Sequence, residues 1–482
     1  MTPAAPNRWR ALAVCQLALF ATLIDVSVTN VALPSIGRAT NASSSQLQWI
    51  VTGYVLAFSL VPVLGGRLGD DRGRRRMFLV GVGGFVVTSA VVGISPDPTL
   101  LIVARVVQGL FGGLINPQVS GIVQQLFSGA ERGRAFGAIG ATVGTATAIG
   151  PLVGGLLIGI GGPQLGWRLV FFINVPIGLT AMVLARRWLP ARDARHGPPP
   201  RLDILGAALL GLTTLCVLFP TVQYDTVRDA RLFWLLVPAV PLAAAFLRRE
   251  WRLTRTRSDP LVDLRLFRRP SYTVGVLLAL LFFAGFTGLP LVLALYFQLG
   301  LGFTALQSGL AVTAFAVGSA TAAPLAGRLV PRFGRPLVIV ALGFFAAGAL
   351  AIALVVSSAA PSADPLQVSL ELALPLLLLG IGAGGIITPN QALSLADVDP
   401  RMGGAAGGVL QTSQRIGSAV GQAVIGSVFF AVLAGGGSYP SALTTSVVVT
   451  LGFIAATLVL GLTDLGLTRR RRLAAPTDPT YT

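Results

Sequence analysis

Apolar residues in this chain come in long runs separated by short polar or arginine-rich turns. Each run approaches the roughly 20 residues that a helix needs to cross a bilayer. The pattern predicts spans at about 11 to 33, 47 to 66, 77 to 95, 100 to 126, 135 to 160 and 167 to 188. A polar loop, Pro190 to Arg201, precedes two more at about 204 to 223 and 231 to 247, and a basic segment runs from Arg248 to Pro270. Six further spans follow at about 271 to 297, 305 to 326, 337 to 357, 368 to 393, 404 to 433 and 442 to 466, which makes fourteen. The first run carries Asp25 in its interior and is longer than a signal-peptide core, so it reads as an uncleaved span.

One turn organises the rest: Gly65-Gly66-Arg67-Leu68-Gly69-Asp70-Asp71-Arg72-Gly73-Arg74-Arg75-Arg76, between spans 2 and 3. Its glycines let two helices reverse closely, and Asp70 can accept hydrogen bonds from a helix N-terminus or from arginines. A related turn, Gly327 to Pro336, follows 261 residues later, with Pro331 where the first copy has an aspartate. Likewise Gly112-Gly113-Leu114-Ile115-Asn116-Pro117 in span 4 is matched by Gly384-Gly385-Ile386-Ile387-Thr388-Pro389 in span 12. The duplication predicts an N-terminal six-helix half (1–188), two inserted helices with basic loops (189–270), a C-terminal six-helix half (271–466) and a tail (467–482). Transporters built from such repeats place their site near the midplane between halves.

With 482 residues, 54% of them hydrophobic, 11% charged, and a mean hydropathy of +0.77, the chain is an all-α polytopic membrane protein. Its net charge of +18 would suggest nucleic acid on a soluble face, but the arginines lie in alternate loops. Thirty of the 36 fall in the loops that are cytoplasmic if both termini are inside, and only Arg38, Arg168, Arg228 and Arg231 fall outside. All the basic residues are arginine, so a lysine-containing phosphate loop and a lysine Schiff base are both excluded. Cys15 and Cys216 offer no disulfide framework, and the lone His196 leaves a metal without ligands. No cofactor is implied, and no nucleophile and base pair suggests an enzyme.

Two arginines, Arg105 and Arg415, fall inside predicted helices. Asp25 is the one acid deep in a predicted span, at a depth similar to that of Arg105. Burial favours the neutral carboxyl and a guanidinium favours the carboxylate, so a movement of Arg105 or water would change proton occupancy at Asp25. The alternative is a static buried ion pair. Gln411, Gln414, Arg415, Ser418 and Gln422 share one face of span 13, and Asn30, Gln108, Asn116, Gln411, Gln414, Arg415 and Gln422 are candidates for a substrate cavity. Hydrogen bonding between helices would explain the same stripe. In span 5, Gly144, Gly150, Gly154 and Gly155 predict close packing, and Pro151 a bend.

Four stretches together resemble the fourteen-helix drug:proton antiporter branch of the major facilitator superfamily. They are Leu23 to Pro34, residues 65 to 76 with Gly66, Asp70, Arg72, Gly73, Arg74 and Arg75 as the gating loop, Arg105-Val106-Val107-Gln108-Gly109, and Gly144 to Gly155. Trp167-Arg168 through Asn174-Val175-Pro176 and Pro260 to Phe267 add to the likeness. In the first loop the basic residue that usually follows the aspartate is replaced by Asp71. The resemblance implies a secondary transporter of the plasma membrane, taken as a monomer, that exports a small amphipathic compound in exchange for protons. An exporter dedicated to one endogenous metabolite or lipid is the competing reading. A membrane-embedded enzyme or a non-transporting sensor would require a catalytic constellation or a soluble signalling domain.

Overall fold

A computed structural model describes residues 8–191, 203–227, 230–256, 259–358 and 365–474. All regular structure among them is helical. Thirteen helices are long and apolar enough to cross a membrane, and one pair bent by 47° brings the total to fourteen. Spans 1 to 6 are Arg8–Thr40, the bent pair Ser44–Leu60 and Pro62–Arg72, Arg74–Ile94, Pro98–Leu126, Gly129–Gly162 and Gln164–Trp188. Spans 7 and 8 are Ile204–Thr221 and Arg231–Arg255. Spans 9 to 14 are Pro270–Gly300, Gln307–Phe333, Arg335–Ser358, Leu366–Ser394, Pro400–Ala434 and Tyr439–Gly466. The order and number are those the hydrophobic pattern predicts. Most helices overrun their apolar runs, because polar flanks continue the backbone hydrogen bonding where water and headgroups can receive them. His196 and Arg228 lie outside the described residues, as does most of the loop from Pro190 to Arg201.

The internal repeat is written into the helix ends. Ser43 and Gln46 form a reciprocal capping box at the start of span 2, and Thr304 and Gln307, 261 residues on, form another before span 10. Gly73 and Gly334, at the same offset, take φ of 99° and 59° to turn spans 2 and 10 into spans 3 and 11, a backbone region that side chains disfavour. Span 2 is broken where Pro62 opens its second segment. Span 5 differs from expectation: the break in its helical dihedrals falls at Gly162, so Pro151 lies within continuous helix and the chain bends about three turns later.

The first six and last six spans meet through glycines. A side chain at Gly66 would strike the Gly404 carbonyl, and one at Gly408 would strike that of Pro62, which ties span 2 to span 13. Gly133 and Gly327 form the matching approach of span 5 to span 10, continued by Gly137 on Pro324 and Gly144 on Ala320. Removing Cβ atoms lets helix backbones touch and gain dispersion that lipid cannot supply. These contacts all lie toward the face that carries most of the arginines. Beyond Gly144, span 5 leans on span 1 instead, Gly150 against Ser27 and Gly154 against Val28. Gly155, expected in the same packing face, has open space where its Cβ would stand. Spans 7 and 8 flank the seam: Leu218 and Phe219 of span 7 pack with Trp49 and Leu56 of span 2 and Ala419 of span 13.

Candidate functional site

Asp25 and Arg105 meet. The Arg105 Nη1 atom donates to Asp25 Oδ2 at 2.5 Å, with both side chains sealed from solvent at 1% and 0% exposure. The other carboxylate oxygen, Oδ1, accepts from Asn174 Nδ2 at 2.7 Å and from Gln108 Nε2 at 3.2 Å. Arg105 also donates to Gln108 Oε1 at 2.7 Å and to the Ile50 carbonyl at 3.2 Å. Its guanidinium lies over the Tyr54 ring, 4.2 Å from the centroid, with Phe171 at 5.6 Å. Ser89 accepts from Gln108 at 2.7 Å. Spans 1, 2, 3, 4 and 6 thus each supply a group to one carboxylate network. Three donors on a single buried carboxylate and an aromatic face on the guanidinium are what a charge pair needs to persist away from water.

Gln108 is therefore corrected: it is fully buried among these groups and does not line a cavity. Asn174 and Ser89 complete the network although sequence reasoning did not select them as site residues. Asn174 carried a signal, since it lies in the Trp167 to Pro176 stretch, whereas Ser89 sits in an apolar run and had none.

The span 13 stripe lies at the seam. Gln411 donates to Ser120 of span 4 at 3.5 Å, and Gln391 of span 12 donates to the same hydroxyl at 3.3 Å. Arg415 lies over the Phe58 ring of span 2 at 4.9 Å. Gln414 and Asn116 are half-buried, while Gln422 and Asn30 are exposed. The seven candidates do not form one cluster: Gln108 belongs to the Asp25 network, Gln411 and Arg415 bridge the halves, and Asn30 and Gln422 stand apart.

At the arginine-rich face, Asp70 joins three spans. Its Oδ1 accepts from Arg74 Nη2 at 2.7 Å and from the Gly404 amide at 3.1 Å, and Oδ2 accepts from the Ala405 amide at 2.8 Å. A carboxylate on free amides at a helix start satisfies orphan donors and meets the positive end of the helix dipole. Arg74 also donates to the carbonyls of Gly121 and Pro400. Asp71 pairs with Arg67 at 2.9 Å within the same helix. Arg75 donates to the Arg186 carbonyl at 2.6 Å. Beside this latch a cavity of about 1140 Å³ is lined by Arg72, Arg74, Arg75, Arg76, Arg186 and Arg401 among others. It opens at the arginine-rich face and not between the halves.

The second loop is built differently. Arg335, the repeat partner of Arg74, donates to Asp464 of span 14 at 3.0 Å, Asn390 of span 12 at 2.8 Å and the Ser271 carbonyl at 2.9 Å. It ties spans 9, 11, 12 and 14 to one another. Across the seam, Arg132 at the start of span 5 donates to the carbonyls of Leu395 and Ala396 at 3.3 and 3.1 Å. Among the described residues no group of three or more His, Cys, Asp or Glu could hold a metal.

In sequence and fold the chain is similar to known membrane transporters. The chain is 38% identical to the "Probable actinorhodin transporter" of Streptomyces coelicolor over 435 residues, 89% of this chain and 74% of that protein. It is 35% identical to the puromycin resistance protein pur8 of Streptomyces alboniger over 468 residues, 94% and 90% of the two chains. With the multidrug efflux pump LfrA of Mycolicibacterium smegmatis it shares 32% identity over 449 residues, 92% and 85%. The fold matches the human organic anion transporter MFSD10 (TETRAN) with a TM-score of 0.67 at 19% identity, covering 95% of this chain and 100% of that one. It matches the proton:xylose symporter XylE at 0.65 and 15% identity, covering 94% and 95%. Residues 16–422 match the Major Facilitator Superfamily. The chain is thus a multi-pass membrane transporter and not an enzyme, and it belongs to the Major Facilitator Superfamily.

Proposed function

We propose that this protein exports a small amphipathic compound across the plasma membrane in exchange for protons, by alternating access between two six-helix halves, 1–188 and 271–466, with 189–270 inserted between them. The observation that carries the reading is the Asp25 network: one buried carboxylate held by Arg105 and Gln108 of span 4 and Asn174 of span 6. An acid kept in a membrane span at a cost of several kcal/mol, roughly 3 or more, is expected to serve an ion pathway. The positive-inside rule assigns the arginine-rich face to the cytoplasm. The Asp70 latch and the glycine seams fasten the two halves toward that face.

In this scheme Asp25 holds the coupling proton, and Arg105 competes with it. Substrate enters between spans 2, 4, 5, 10 and 13, where Asn116, Gln411, Gln414 and Arg415 offer polar contacts beside the aromatic face of Phe58. Purified protein in proteoliposomes with an imposed pH gradient tests this directly. Candidate amphipathic drugs should move against their own gradient only while the proton gradient lasts. Transport that persists with no proton gradient would overturn the coupling. A dedicated exporter remains a distinct second reading, favoured by relatives named for a single compound such as puromycin or actinorhodin. A panel of unrelated drugs separates the two, since a dedicated exporter accepts one chemical class.

A further inference from the structure

Outside the Asp25 network, the inserted spans hold a second buried acid. Glu250, near the end of span 8, has no exposed surface, and Asp203, immediately before span 7, has only 6%. Arg249 grips Asp203 with two contacts from Nε at 2.8 and 2.9 Å. Glu250 Oε2 accepts from the Val262 amide at 2.9 Å, while Glu250 Oε1 is buried with no donor. That oxygen converges with Asp203 Oδ2 on Gly206, where a side chain would meet both. Burial works to raise the Asp203 carboxyl, yet the hydrogen bonds and charge of Arg249 and the Gly206 amide carry it below the usual range.

The two carboxyl groups are buried while Arg249 is 37% exposed, and with both acids ionised this one guanidinium leaves a buried negative charge uncompensated. A single proton on the Glu250 carboxyl removes it. The proton then bridges to Asp203, which satisfies the orphaned oxygen. We propose that Glu250 and Asp203 form a proton-binding site shared by the two inserted spans, and that the bound proton docks the segment 259–269 against span 2.

The docking surface is already assembled. Leu261 and Val262 are buried against Val63 of span 2 and Phe246 of span 8. Arg67 of span 2 reaches Asp259 at 3.4 Å while pairing with Asp71. Asp263 holds Arg265 at 2.9 Å within the segment. These are the charged neighbours: Asp203 ahead of span 7, Arg249 on span 8, Arg67 and Asp71 on span 2, and Asp259, Asp263 and Arg265 on the segment itself. Asp71 and Asp259 also share a guanidinium, that of Arg67, but Asp259 is 46% exposed; Glu250 and Asp203 are both buried, so the proton sits between them. Its loss sets two carboxylates against each other; Asp203 keeps its arginine, and Glu250 leaves together with the Val262 amide it holds. Span 2 carries Asp70 a few residues further on, so the inserted spans report proton availability to the latch.

Amide hydrogen exchange of the full-length protein in lipid nanodiscs, corrected for the intrinsic pH dependence of exchange, tests this. Protection of the peptide covering Leu261 to Leu264 should fall about tenfold between about pH 5 and about pH 9. Glu250→Gln, which keeps the hydrogen bonds but cannot ionise, should retain the low-pH protection at both values. Glu250→Ala should lack it at both. Protection of the wild-type segment that does not change with pH, or a Glu250→Gln protein as exposed as Glu250→Ala, would overturn the proposal. Neither readout depends on substrate or on Asp25, so it stands or falls apart from the transport mechanism.

Discussion

A carboxylate with three donors is a different object from a carboxylate with one. Arg105, Gln108 and Asn174 each neutralise part of Asp25, and removing any of them leaves the rest buried and under-satisfied. Arg105→Ala should destabilise the protein by about 3 to 5 kcal/mol, the range for a buried pair broken from one side, and Asn174→Ala by about 1 to 3 kcal/mol, both read from thermal unfolding in detergent. Asp25→Asn keeps the shape and most hydrogen bonds, so the protein should remain folded, exchange substrate downhill and fail to concentrate it; full uphill transport with normal pH dependence would make the pair purely structural. The Asp25 and Arg105 partnership was legible from depth alone, because helical rise converts sequence position into height in the membrane. Gln108 was misplaced for a related reason: a polar residue on a helix face shows that it needs a partner, not whether the partner is water, substrate or a neighbouring acid. Glu250 was hidden in a run of arginines, where an acid reads as one more surface charge, and only the fold reveals that the 259–263 backbone covers it.

Glycine seams set what the helices can do as units. Span 2 touches span 13 and span 5 touches span 10 with backbone against backbone, so a single methyl has nowhere to go. Gly66→Ala should force the first seam apart and Gly327→Ala the second. Each should raise the labelling of a cysteine placed at Ser120, buried in the structure at 2% exposure, by a reagent confined to the arginine-rich side. Unchanged labelling in both variants would mean that these seams do not close the path. Asp70→Asn removes the charge from the latch while leaving the glycine contacts, and it should slow turnover without unfolding the protein. If Asp71→Asn is the variant that fails, the latch has been assigned to the wrong carboxylate, although Asp71 here pairs within its own helix. The repeat made these elements legible: an offset of 261 residues predicted equivalent turns, and the caps at Ser43 and Thr304 obey it. The bend of span 5 was not, because proline is tolerated where neighbouring helices support the backbone, and the break fell instead at Gly162.

For the whole molecule, the arginine bias requires tags at either terminus and within 248–270 to be reached from the cytoplasm, and an externally accessible C-terminus would break the even number of spans. Hydropathy and charge sufficed for this scale, since a bilayer leaves the backbone few alternatives to the helix. They said nothing of the unequal way in which the two symmetry-related seams are fastened. One seam carries a carboxylate seated on two amides and a guanidinium that also crosses to Pro400. The other, with Pro331 in the aspartate's place, is crossed by Arg132 on two neutral carbonyls, while Arg335 turns inward to Asp464. Bonds between a charged and a neutral group cross both seams, three of them at the first and two at the second. In the proposed alternating-access cycle the less fastened seam should part first and the Asp70 seam last, so that a nearly twofold transporter would keep a fixed order of events, much as a clasp with one hinge and one catch can open in only one sequence.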